Sequence, residues 1–142
     1  MTIPQSLADL LQQIEGASDY DEKCDLLIEF AGDFKPFPEG KYAFPYDKRH
    51  QVPGCESEVY LWVENKPSGG YNFDVAVENP QGISAKALAQ ILIESLSCCT
   101  ADQIALVPED IVYRIFGEGL SMGKGQGLMG MIRLLKQLVK QA

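Results

Sequence analysis

The sequence holds four cysteines and a single histidine as its main candidates for side-chain chemistry. Cys55 follows the pair Pro53-Gly54 and stands just before a stretch with strand-like alternation. A glycine can adopt backbone conformations closed to other residues, which would let backbone N–H groups point towards the sulfur. A cysteine reacts as its thiolate, and nearby positive charge or hydrogen-bond donors lower its pKa. The pattern makes Cys55 the candidate nucleophile, the alternative being a small residue that a turn tolerates.

Charged residues on both sides of this thiol act in opposite senses. Lys48 and Arg49 lie just upstream, where they would help to form a thiolate or to dock a partner. Glu56 and Glu58 lie just downstream and oppose that effect. His50, the only histidine, is a candidate base for the thiol, although a solvated loop imidazole is the more ordinary interpretation.

The other three cysteines are weaker candidates for a reactive or metal-binding role. Cys24 and Cys99 fall on apolar helical faces, where a thiol behaves as a small hydrophobe, and Cys98 is expected to be exposed. No CxxC or HxxxH spacing occurs, so a metal site would require Cys55, the Cys98-Cys99 pair and His50 to converge. We therefore expect neither a metal ion nor a cofactor.

A glycine-rich stretch, "GLSMGKGQG", invites comparison with a phosphate-binding loop. A Walker motif has four residues between its first glycine and Gly-Lys, followed by Ser or Thr. Here three residues intervene, and Gly125 follows Lys124. We expect a flexible lead-in to the last helix, with Lys124 adding positive charge at the helix's N-terminal end.

Composition restricts the class of protein. The 142 residues are typical of one domain, and 46% of them are hydrophobic. A net charge of −8 argues against nucleic acid as a partner. No apolar run approaches the roughly 20 residues of a membrane span, and the N-terminal stretch lacks the basic start of a signal peptide. We expect a single domain over residues 1–142, in the cytosol, with its cysteines as thiols.

Hydrophobic periodicity predicts the elements that position Cys55. Apolar residues at helical spacing predict helices in "PQSLADLLQQIEG", "SDYDEKCDLLIEFAGDF", "SAKALAQILIESLSCCT" and "GLMGMIRLLKQLVKQA", and a short one in "ADQIALV". Alternation predicts two strands, "SEVYLWVE" and "YNFDVAVE", joined as an antiparallel hairpin by "NKPSGG". The proline-rich segment 35–50 predicts irregular structure, with a short edge strand as one option. Helices around a small antiparallel sheet make an α+β fold.

Three of these segments together resemble the SufE family, the sulfur-acceptor proteins of iron–sulfur cluster assembly. "VPGCESEVYLW" resembles the family's Gly-Cys-x-Ser-x-Val signature. "YDEKCDLLIEFAGDF" is similar to its second helix, and "QGLMGMIRLLK" to its C-terminal Gly-Leu-x-x-Met-Ile helix. The matches keep the family's order over roughly residues 5–140.

The resemblance implies an α+β fold shared with NifU-like cluster scaffold proteins. It also implies a partner, a SufS-like cysteine desulfurase that uses pyridoxal phosphate and carries a persulfide made from L-cysteine. By resemblance, Cys55 accepts the terminal sulfur, stimulates the desulfurase and passes the sulfur to a SufBCD-like assembly scaffold, without independent turnover. Gly54, Ser57 and Lys124 would shape or activate the loop, and Lys48 and Arg49 would dock the partner.

Two positions depart from the family pattern. Lys124 stands where members often carry an arginine. Lysine keeps the positive charge but lacks the planar guanidinium group of arginine. Tyr60 stands where a tryptophan is common, with Trp62 two residues on and on the same strand face.

The rival interpretations are a metal- or cluster-binding scaffold of the same fold and a thiol-based redox enzyme. The latter often needs a resolving cysteine, and none lies near Cys55 in the sequence.

Overall fold

The structure, a computed structural model, describes residues 3–55, 57–117 and 120–142. Its elements within those ranges are, in chain order, α1 Gln5–Glu15, α2 Tyr20–Asp33, a 3-10 helix Lys48–His50, β1 Val59–Asn65, β2 Tyr71–Val77, α3 Ile83–Leu96, α4 Ala101–Ala105, α5 Ile111–Phe116 and α6 Met122–Gln141. Helices flank a two-stranded antiparallel sheet on both sides in the sequence. The predicted α+β class is confirmed.

The sheet is the predicted hairpin. β1 and β2 pair antiparallel, from Val59 opposite Val77 to Asn65 opposite Tyr71. Alternate residues of both strands are buried in the core, as the period-two pattern requires: Val59, Leu61, Phe73 and Val75. The sheet therefore presents one apolar face to the helices.

Helix boundaries follow local capping chemistry. The Asp19 carboxylate accepts a hydrogen bond from the backbone N–H of Glu22 at 2.8 Å, which caps α2. Thr100 and Gln103 form a capping box at the start of α4. These side chains satisfy backbone donors that a helix leaves without an internal partner.

Helix α3 lies at the centre of the packing. It contacts α1, α2, α6 and β2, while α6 also packs on β1. Eight of its 14 residues are buried, including Leu88, Ile91 and Leu96. Around it lies one continuous hydrophobic cluster with contributions from all six α-helices described and both strands. Within the described ranges, none of the helices combines the length and the apolarity needed to cross a bilayer.

Two sequence expectations about helices need correction. Helical spacing places Tyr20 on the same face as Cys24 and so predicts its burial, but its side chain is 71% exposed, as the rest of the first turn is exposed; Leu27 and Phe30 are the buried residues. The last helix begins at Met122, so glycines predicted to be a flexible lead-in are helical. The Ser121 hydroxyl caps it by accepting from the Lys124 N–H at 3.3 Å.

The proline-rich segment forms no strand between residues 35 and 50, so the optional edge strand is wrong. Its aromatic rings instead pack on the outer face of the sheet. The Tyr42 ring stacks on Trp62 with centroids 4.2 Å apart, and the Phe37 ring meets Trp62 edge-on at 5.2 Å. The Tyr42 hydroxyl donates to the Asp74 carboxylate at 2.6 Å, and Lys41 pairs with the same carboxylate at 2.7 Å.

Candidate functional site

Cys55 lies in a loop that is closed at its base. Gln51 forms an isolated antiparallel bridge with Tyr60, and the Val52 N–H donates to the Val59 carbonyl at 2.8 Å. Inside this closure, the Glu58 N–H donates to the Cys55 carbonyl at 3.2 Å. Strand β1 begins soon afterwards at Val59, so the cysteine stands at the loop's tip.

Two left-handed residues shape this loop. Gly54 has a φ of +73° and Glu58 a φ of +50°. At position 54 a side chain would be strained by the backbone alone, since nothing lies within 4 Å of where its Cβ would stand. The turn before Cys55 therefore depends on glycine because of its conformation and not because of crowding.

Helix α6 supports the loop through glycines. A Cβ added to Gly127 would stand 3.2 Å from the Cα of Cys55 and 3.4 Å from the Gly54 carbonyl oxygen. A Cβ on Gly130 would stand 3.2 Å from the Pro53 carbonyl oxygen. Residues three apart lie on one face of a helix. The missing side chains thus let the cysteine loop rest directly on the helix backbone.

The connection between β2 and α3 holds the other side of the loop. The Ser57 carbonyl accepts from the Asn79 N–H at 3.1 Å, and the Glu58 carbonyl accepts from the Glu78 N–H at 3.2 Å. The Ser57 hydroxyl lies 3.1 Å from the position of a Cβ on Gly82. Cys55 is half-buried between these supports and packs against the hydrophobic core. Glu56 lies outside the described residues.

The basic residues upstream of the loop have other contacts. Arg49 pairs with Asp47 at 3.1 Å within its own turn, with 82% of its side chain exposed, and Lys48 is exposed. His50 Nδ1 lies 2.8 Å from the Leu61 carbonyl oxygen, and its ring stacks on Trp62 at 5.2 Å. His50 is half-buried, so the expectation of a solvated loop imidazole is wrong: it packs on the sheet.

The remaining cysteines occupy different environments. Cys99 is buried and donates its thiol hydrogen to the Ser95 carbonyl at 3.4 Å, while Cys98 is exposed. Cys24 is half-buried and, through a hydrogen bond, raises the pKa of Tyr20. Within the described part of the chain, no group of three or more His, Cys, Asp or Glu residues is placed to hold a metal ion.

A cavity of about 520 Å³ lies beside the supports of the cysteine loop. It opens between α2, the start of α3, the end of α5 and the start of α6, and Lys124 lies on its wall. Ile83, which follows Gly82, also lines it. Nothing in the sequence indicated this cavity, because it is formed by helix ends far apart in the chain. Glu118 and Gly119, close to these residues in sequence, lie outside the described residues.

Chemically, the arrangement offers one thiol at the tip of a braced loop. Transfer of a sulfane sulfur to a thiol is the same displacement as thiol–disulfide exchange, and it requires a thiol that the donor can approach. The half-burial of Cys55 on a glycine-lined helix gives a sulfur that is sheltered on one side and partly open on the other.

Comparison with known proteins agrees with this geometry. The family described as "SufE: Fe-S metabolism associated domain" matches residues 8–139. A solution structure of a hypothetical protein from Thermus thermophilus is similar in fold, with a TM-score of 0.75 and 20% sequence identity, over 99% of this chain and 98% of that one. No curated protein sequence matches. The chain belongs to the SufE family, whose domain is associated with iron–sulfur metabolism.

Proposed function

We propose that the protein is a sulfur acceptor whose working residue is Cys55. The observation that carries this proposal is the position of Cys55 at the tip of a closed loop, inside the segment that matches a domain of iron–sulfur metabolism. The donor would be a pyridoxal-phosphate cysteine desulfurase bearing a persulfide. The onward acceptor would be an iron–sulfur assembly scaffold.

The proposed transfer balances without an external oxidant. The Cys55 thiolate attacks the terminal sulfur of the donor persulfide, forming a new S–S bond as the donor's own S–S bond breaks. The donor cysteine leaves as a thiolate and takes up the proton that Cys55 gave up. The sulfane sulfur keeps its oxidation state, so the chain needs neither a redox cofactor nor a metal of its own for this step.

The surrounding residues have supporting roles in the proposal. Gly54 gives the loop its turn, and Ser57 ties it to the β2–α3 connection. Lys124, exposed at the start of α6, adds positive charge on the wall of the neighbouring cavity. Lys48 and Arg49 are exposed on the 3-10 helix and would contact the partner.

The proposal extends to the chain's setting. We propose that residues 1–142 act as one domain in the cytosol, without independent turnover. The protein's contribution would then be to speed the desulfurase by clearing its persulfide.

Substitution of Cys55 tests the function. We expect Cys55→Ser to fold normally, because serine differs from cysteine by one atom at a half-buried position. We expect it to lose all stimulation of desulfurase turnover, measured as alanine released from L-cysteine. Cys98→Ser is the matched control, since Cys98 is an exposed thiol outside the loop. Cys98→Ser should stimulate as the wild type does, and stimulation retained by Cys55→Ser would overturn the proposal.

A further inference from the structure

The 520 Å³ cavity combines exposed apolar side chains with positive charge. Three of the six large hydrophobic residues that the described chain exposes lie on its wall: Tyr20 at 71%, Ile28 at 56% and Ile83 at 50%. Contiguous exposed apolar surface of this kind marks interaction sites. Isolated surface hydrophobes are ordinary, but three around one concavity are a patch.

The charges around the cavity are one-sided. Among the described lining residues, the charged side chains are Lys23 and Lys124, both positive. This contrasts with a chain whose net charge is −8. Lys23 Nζ also donates to the Arg114 carbonyl at 3.3 Å, which links α2 to α5. Helix α2 carries acids as well, but they are not among the lining residues.

The cavity wall adjoins residues that support the cysteine loop. A Cβ added to Gly82 would stand 3.1 Å from the Ser57 hydroxyl, and the next two residues, Ile83 and Ser84, line the cavity. A Cβ added to Gly127 would stand 3.2 Å from the Cα of Cys55, and Lys124 lies one helical turn earlier on α6. Gly82 and Gly127 are buried, whereas Ile83 and Lys124 are exposed, so the surface beside these supports is open to a partner.

We propose that this cavity docks the desulfurase that donates sulfur to Cys55, by seating an apolar side chain of that enzyme between flanking carboxylates that pair with Lys23 and Lys124. Burial of an apolar anchor supplies interface affinity, and complementary charge sets orientation and association rate. This inference rests on the proposed function, since it names the surface through which that function's donor is recognised.

Substitutions at Ile28 and Ile83 test the surface without touching the thiol. Both side chains are half exposed, and glutamate is a good helix former at position 28 and favourable in the first turn of α3 at position 83. We expect Ile28→Glu and Ile83→Glu each to raise at least tenfold the concentration of this protein that half-saturates the desulfurase. The rate at saturation should stay unchanged. Leu106→Glu, at an exposed hydrophobe outside the cavity lining, is the control and should have no effect.

The sign of the introduced charge tests whether the docked desulfurase presents carboxylates to this surface. Ile28→Lys removes the same apolar side chain as Ile28→Glu but adds a positive charge. If the donor presents carboxylates, Ile28→Lys will bind the desulfurase several-fold more tightly than Ile28→Glu. Equal losses of affinity for the desulfurase in the two substitutions would overturn the proposal that the partner presents carboxylates. A shift in oligomeric state with Ile28→Glu, seen by sedimentation, would assign the surface to a second copy of this chain and also overturn it.

A separate assay distinguishes failure of this inference from failure of the proposed function. Inorganic polysulfide delivers sulfur to an accessible thiol without a protein donor, so Ile28→Glu and wild type should be persulfidated equally by it. Wild type that no cysteine desulfurase loads would refute the function itself. Suppose instead that the desulfurase loads the wild type, and that both glutamate variants half-saturate the desulfurase at the same concentration as the wild type. That result would refute only the docking surface.

Discussion

Substitution of Gly127 by alanine tests whether the cysteine loop truly rests on helix α6. Alanine in a helix interior is favoured over glycine by about 1 kcal/mol. At position 127, however, the added Cβ would stand 3.2 Å from the Cα of Cys55, inside the roughly 3.5–4.0 Å of an optimal carbon contact. The loop or helix must then give by a few tenths of an ångström, and overpacking of this kind costs about 1–3 kcal/mol. We expect Gly127→Ala to be neutral or destabilised by up to about 2 kcal/mol.

Gly123→Ala provides the matched control on the same helix. Nothing lies within 4 Å of a Cβ added there, so it should gain up to about 1 kcal/mol from helix propensity. Urea unfolding followed through Trp62, the single tryptophan, measures both variants. The rate of Cys55 alkylation, measured in a Cys98→Ser background, should rise in Gly127→Ala as the loop is displaced and stay constant in Gly123→Ala. Equal stabilisation of the two variants with unchanged alkylation would refute the packing.

Two further predictions concern the hairpin and the aromatic face. Gly70→Ala places a Cβ well inside contact distance of the Ser97 carbonyl oxygen at a φ of +80°, whereas Gly69→Ala, at +97°, meets nothing within 4 Å. We expect Gly69→Ala to cost about 1–2 kcal/mol from backbone strain alone and Gly70→Ala clearly more in thermal or urea unfolding; equal costs would contradict the contact. Burial and the hydrogen bond to Asp74 raise the pKa of Tyr42, so its contribution to stability is complete below about pH 10 and is lost above it. The midpoint of urea unfolding, followed by circular dichroism, should fall as the pH rises above about 10. It should fall less steeply in Tyr42→Phe, and an equally steep fall in the two proteins would contradict this.

Much of the fold could be predicted from the sequence because its signals are local. The alternation that sends Leu61 and Val75 inward predicted the hairpin, and Asp19 and Thr100 marked helix starts through side-chain caps. These features depend on residues within a few positions of one another. The SufE resemblance was likewise carried by contiguous motifs, and the family match over residues 8–139 confirms it.

What the sequence could not predict depends on distant contacts. Glycine has low helix propensity, so Gly123 and Gly125, which precede the predicted helix that begins at Gly127, suggested a flexible lead-in. Burial of α6 against β1 and the cysteine loop outweighs that preference. Tyr20 had the right spacing for a buried stripe, but its turn extends past the core. The environment of His50 depends on Trp62, which lies on the neighbouring strand β1.

The site was predicted only in part for the same reason. The Pro-Gly turn drew attention to Cys55, yet the glycine face of α6 beneath it is a tertiary contact. The cavity beside it is built from α2, the start of α3, the end of α5 and the start of α6, which lie far apart in the chain, so no single segment forms it.

The most direct measurement uses a protein in which Cys24, Cys98 and Cys99 are all replaced by serine, so that Cys55 is the one thiol left. After incubation with a cysteine desulfurase and L-cysteine, intact-protein mass spectrometry should show the gain of one sulfur atom, removable by dithiothreitol and located by digestion to the peptide containing Cys55. If this protein folds, as circular dichroism will show, and yet gains no sulfur while the wild type does, then Cys55 is not the acceptor.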